Sequence, residues 1–74
     1  MIIYVVKTFR GYWVTASEEE AELKANKLYD ELKNDYEENR IVIEDLWTRI
    51  YIYEQKGEYW DSFVFRSSRW TNKM

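Results

Sequence analysis

Ser17 to Arg40 reads SEEEAELKANKLYDELKNDYEENR, and the spacing of its apolar residues decides the fold. Ala21, Ala25, Leu28, Leu32 and Tyr36 recur at helical intervals and form one stripe, with Tyr29 on its flank. Ser17 with Glu20 three residues on is a capping box, and Glu18, Glu19 and Glu20 put negative charge at the positive end of the helix dipole. Glu20 and Lys24 are an i,i+4 pair in the favourable order; Lys27–Glu31 and Lys33–Glu37 add reversed ones. The pattern fades over Glu38–Arg40, where Asn39 is predicted to take a left-handed cap.

On both sides of this helix the period drops to two. Ile2 to Phe9 alternates and is rich in β-branched residues, with Ile3, Val5 and Lys7 on one face and Ile2, Tyr4 and Val6 on the other. Arg10-Gly11 is the predicted turn, and Tyr12 to Thr15 the returning strand. After the helix, Ile41-Val42-Ile43 opens a strand, Glu44-Asp45 interrupts it, and Leu46 to Glu54 continues it. Gln55-Lys56-Gly57 forms a hairpin loop, Tyr59 to Arg66 returns, and a polar, loosely ordered tail is expected over residues 66–74. The prediction is one α+β domain over residues 1–74. It is an antiparallel sheet of four strands, or five if the Glu44-Asp45 break is complete, with one long helix on one face.

One apolar stripe shields one side of a sheet. The other side is expected to carry Trp47, Arg49, Tyr51 and Tyr53, continued by Tyr59, Phe63 and Phe65. Two fates are open to these rings. They form a contact surface, since Trp, Tyr and Arg dominate binding hot spots, or the sheet curls and absorbs them in a small barrel-like core.

Composition narrows the chemistry. The chain has 74 residues, 46% of them hydrophobic and 19% aromatic, which excludes a disordered tail. It has no His, Cys or Pro, so a disulfide framework, a thiolate metal site and Ser-His or Cys-His nucleophile pairs are all excluded. No run of residues matches the roughly 18 apolar residues of a membrane helix, and the N-terminus has no signal-peptide pattern, so a cytoplasmic protein without membrane contact is expected. No cofactor and no bound metal is expected. A core this small rarely supplies more than about 3–5 kcal/mol.

The net charge is −3, and it is unevenly placed. Ser17–Arg40 holds nine acids against four bases, while the remainder is basic, notably at Arg66, Arg69 and Lys73. Glu19, Glu20, Asp30, Glu31 and Glu38 on the helix could steer the protein toward a basic groove on a partner, against the plainer reading of a solvated helix exterior. Leu23 lies among these charges, opposite the apolar stripe. An alternative reading is a nucleic-acid module using Arg66, Arg69 and Trp70, though neither an RNP-type motif nor a GxxG loop accompanies them and the net charge opposes it. A remote alternative is a metal-dependent nuclease on Glu54-Gln55-Lys56 with Asp45 or Asp61; Glu22-Leu23-Lys24 matches the same pattern inside the helix.

The opening strand Ile2-Ile3-Tyr4-Val5-Val6-Lys7, the passage Trp13-Val14-Thr15-Ala16-Ser17 into a Glu-rich helix, and the aromatic hairpin that follows resemble a known class in their layout. It is that of the small proteins that phages and other mobile elements encode against host defences, some anti-CRISPR proteins among them. The resemblance implies a non-enzymatic inhibitor that binds a host protein, and it assigns no individual residue. A homodimer through the aromatic sheet face is the further expectation, because burying that face would compensate for a thin core.

Overall fold

The computed structural model describes the backbone of residues 1–69 and the side chains of residues 1–66. Two hairpins flank one helix. Strands β1 (Ile2–Thr8) and β2 (Gly11–Thr15) precede α1 (Glu18–Glu37); a 3-10 turn (Ile43–Asp45) then leads into β3 (Trp47–Lys56) and β4 (Tyr59–Arg69). The strands form one antiparallel sheet in the order β2-β1-β3-β4, with the helix on one face, as the sequence predicts for an α+β domain.

The helix starts and stops where its sequence says. Ser17 Oγ accepts the Glu20 backbone N–H at 3.2 Å. The return half of the capping box is replaced: Ser17 N–H donates to Thr15 Oγ1, whose hydroxyl donates to Glu20 Oε2 at 3.0 Å. At the other end Asn39 takes φ 62°, Arg40 N–H donates to the Asp35 carbonyl and Asn39 N–H to that of Tyr36, which is a Schellman closure.

Four local predictions need correction. Thr8 pairs with Gly11, so the first turn is Phe9-Arg10 and Gly11, at φ 145°, opens β2. Lys56 pairs with Tyr59, leaving a two-residue turn, Gly57-Glu58, with φ 65° at Gly57. Ile41-Val42-Ile43 is no strand: Asp45 N–H donates to the Val42 carbonyl and Leu46 N–H to that of Ile43, folding the segment into a 3-10 turn. Leu46, the residue that closes this turn, is fully buried. At the far end β4 outlasts its predicted limit, because Ser67, Ser68 and Arg69 pair with Arg49, Thr48 and Trp47. The expected loose tail thus yields three residues to the sheet, and its remainder, 70–74, lies outside the described residues.

Val6, Ala21, Ala25 and Ile50 form the core cluster, with Tyr4, Trp13 and Leu28 packed against it; Leu32 and Leu46 are buried as well. The helix contributes two alanines to this cluster. With one methyl each they let the helix backbone approach Val6 and Ile50, so large rings can pack at its sides.

Asp35 pins the first hairpin to the end of the helix. It accepts from Arg10 Nη2 at 2.7 Å and from Arg40 Nε at 3.1 Å. These two guanidiniums, Arg10 first, hold its carboxyl below the usual carboxylate range. The native state therefore releases this proton more readily than the unfolded chain does. Its stabilising contribution is fully present above the unfolded carboxylate pKa of about 3.9 and is lost as pH falls through the lower native value. Asp35→Asn is expected to flatten the acid side of the Tm–pH profile, measured by circular dichroism, and to leave the difference from wild type smallest at the lowest pH. A profile parallel to wild type would contradict this linkage.

Candidate functional site

Alternation along β3 puts Trp47, Arg49, Tyr51 and Tyr53 on the side of the sheet away from the helix, since Thr48 and Ile50 between them are buried beneath it. Register then recruits the neighbours. Ile3, Val5 and Lys7 of β1 lie opposite Tyr53, Tyr51 and Arg49; Val14 and Tyr12 of β2 lie opposite Val5 and Lys7. On β4, Trp60, Ser62 and Val64 face Gln55, Tyr53 and Tyr51. The sheet does not curl around these rings: Tyr12, Val14, Trp60 and Val64 are exposed, and Trp47, Tyr51 and Tyr53 are half-buried.

The face has an organised centre. Arg49 lies over the Trp47 ring, its Cζ 4.9 Å from the centroid, and donates from Nη1 to the Tyr51 hydroxyl at 3.5 Å. Beside it, Val5, Lys7, Tyr12, Tyr51 and Tyr53 line a shallow cleft of about 260 Å3. Lys7 stands directly opposite Arg49 in the ladder, a like-charge pairing that costs stability in a sheet. Neither cation makes an ion pair among the described residues; the five salt bridges there involve Arg10, Arg40, Lys56 and Arg66. No carboxylate occupies a strand position of this face among the described residues. The result is an aromatic surface with two cations that lack counter-charges among the described residues.

The sequence names half of it. Lys7, Tyr12, Trp60 and Val64 escape a reading strand by strand, because their place depends on β1 lying between β2 and β3. The reverse holds for Phe63 and Phe65, expected on the uncovered face. Phe63 pairs with Ile52, on the helix side, and Phe65 meets the Tyr4 ring edge-on at 6.1 Å. Tyr59, opposite Lys56, belongs to the helix side too. A register shift in β4 opposite Ile50 and Tyr51 turns Arg66 toward the helix, where its Nη1 meets Glu22 Oε1 at 2.7 Å.

The helix acids are divided. Glu19, Asp30 and Glu31 point to solvent, while Glu20 accepts from Thr15 and Glu38 pairs with Arg40 at 2.9 Å. Tyr4 donates to Glu18 Oε1 at 3.3 Å; burial, then the Glu18 charge and this hydrogen bond, raise the pKa of its phenol. Leu23 is exposed beside them.

Of the residues nominated for nucleic acid, Arg66 is tied to Glu22, Arg69 is described only as a backbone position of β4, and Trp70 lies outside the described residues. The nominated nuclease set is partly brought together. Glu54 and Asp61 are cross-strand partners and Lys56 reaches Asp61 at 3.3 Å, whereas Asp45 sits in the 3-10 turn before β3. Among the described residues no three potential ligands converge on a metal-sized position. No helix there is long and apolar enough to cross a membrane. Comparison with protein-family models, with curated proteins and with solved structures finds no match for this chain.

Proposed function

We propose that this protein is a non-enzymatic binding protein that presses its uncovered sheet face against an acidic patch of a protein partner and blocks it, as a small phage-type inhibitor would. The single observation that carries this reading is the opposed pair Lys7 and Arg49, set among half-exposed rings with no carboxylate at a strand position of the face among the described residues. Two adjacent uncompensated cations are a standing cost in the free protein, and an incoming carboxylate relieves it. Trp47, Tyr51 and Tyr53 supply the anchors, being large, amphipathic and already held at the Cβ by the sheet. The acidic helix points the other way and gives long-range orientation, repelling acidic surfaces from the wrong side.

The test compares faces. Tagged wild type, Arg49→Glu/Tyr51→Ala and Glu19→Lys/Glu31→Lys are used to capture partners from host lysate, read by mass spectrometry. A partner retained by the helix variant and lost by the sheet variant supports the reading. A partner lost only with the helix variant transfers the role to Glu19 and Glu31. Nucleic acid recovered in place of protein, and sensitive to Arg49, makes the face a single-strand platform.

A further inference from the structure

Strand β4 is built as an interior strand and stands at an edge. It is the last strand of the sheet, and the helix lies over β1, β2 and β3. Both of its faces carry exposed apolar side chains: Tyr59, Phe63 and Phe65 beside Asp61 and Arg66 on the helix side, at 63%, 51% and 38% exposure, and Trp60 and Val64 beside Ser62 on the other, at 46% and 54%. Strands apolar on both faces belong in sheet interiors. Natural edges are blunted by shortness, charged side chains, Pro, bulges or a cover, and of these β4 has the shift beside Val64 and the charges at Asp61 and Arg66. The opposite edge, β2, is only five residues long; β4 has eleven, with neither Lys nor Pro.

We propose that β4 pairs antiparallel with β4 of a second copy, joining two four-stranded sheets into one of eight strands. Charge selects the register. Along the β3–β4 ladder Asp61, Phe63 and Arg66 pair with Glu54, Ile52 and Ile50, so Asp61 and Arg66 lie equally far from Phe63 and on the same face. A two-fold axis through Phe63 therefore puts Asp61 of each copy opposite Arg66 of the other. Phe63 then faces its own symmetry mate, and Ser62 faces Val64. Centring on Ser62 instead would set Asp61 against Phe63 and leave every charge without a partner across the seam. Arg66 can serve two carboxylates, because its guanidinium has five donors and Glu22 engages only Nη1. The β4 shift lies outside the three central pairs, and it is what turns Arg66 to the face that Asp61 occupies. This pairing leaves Lys7, Arg49 and Tyr51 uncovered, so it stands independently of the function proposed above.

Sedimentation equilibrium over a concentration series, with native mass spectrometry of mixtures, tests it. Wild type is expected to dimerise with concentration, and β4 amides to gain hydrogen-exchange protection as it does. Asp61→Arg alone and Arg66→Asp alone each set two like-charge pairs across the seam and should weaken the dimer about tenfold. Mixing the two variants should restore it as a heterodimer, which also shows that each variant folds. A wild-type monomer at its highest soluble concentration overturns the proposal. So does a dimer that ignores both substitutions, one abolished by Tyr51→Glu, or a mixture without rescue.

Discussion

Leu46→Ala is expected to leave the chain largely unfolded at 25 °C. Leu46 is fully buried, held by a turn whose only sequence cue is the Glu44-Asp45 interruption before it. Truncating a buried Leu to Ala costs about 2–5 kcal/mol, the higher values where the site cannot collapse. Collapse is restricted here because the 3-10 turn fixes the backbone on one side and β3 begins at the next residue. A single core of this size supplies about 3–5 kcal/mol in all, so this one substitution removes most of it. Urea titration followed by circular dichroism measures the loss. Val42→Ala, four residues earlier at an exposed position, should change the unfolding free energy by less than about 0.5 kcal/mol and serves as the control. A Leu46→Ala midpoint close to wild type would mean that the turn adjusts freely and that the core does not depend on it.

How far the sequence carries can be judged from residues such as these. The stripe Ala21-Ala25-Leu28-Leu32-Tyr36 needs only local spacing; Ala21, Ala25 and Leu32 are buried, and Leu28 and Tyr36 are half-buried. Asn39 is legible for the same reason: a left-handed cap is a property of one residue after a helix, and φ 62° is what stands there. Leu46 illustrates the opposite case. Ile41-Val42-Ile43 has strand propensity, but the chain leaving the helix must first cross to the sheet, and a 3-10 turn makes that step where a strand cannot. Propensity gave way to geometry.

The candidate site divides along the same line. Trp47, Arg49, Tyr51 and Tyr53 share a face because they alternate within one strand. Lys7 and Tyr12 join them only through pairing order, which no single strand encodes. Tyr59, Phe63 and Phe65 fall on the helix side instead, because the side a β4 residue takes depends on its register to β3, which alternation within β4 does not carry. Pairing Phe63 with Ile52 settles its side, and the shift beyond Val64 then reverses the alternation for Arg66.

Lys7→Glu is expected to make the protein more stable and less able to bind. Lys7 is the ladder partner of Arg49 on β3 and of Tyr12 on β2, so one cross-strand neighbour carries the same charge and the other carries none. A carboxylate there would face Arg49 directly and lie within reach of the Tyr12 hydroxyl. Exchanging a like pair for an opposite one is worth about 0.2–1 kcal/mol in each direction, which together raises Tm by several degrees in a domain of this size. Lys7→Gln removes the repulsion without adding the attraction and should fall between. Added salt screens the wild-type pair, so the gap between wild type and Lys7→Glu should narrow as ionic strength rises. Binding moves oppositely. The new carboxylate occupies Arg49 from within and repels an acidic partner, a loss of about 2 kcal/mol or roughly thirtyfold in affinity if Arg49 is a hot spot. Two cations in adjacent strands, neither in an ion pair among the described residues, cost stability and favour an acidic ligand. Stability and affinity falling together in Lys7→Glu would show that Lys7 supports the fold, and the cationic face would lose its claim to be a binding site.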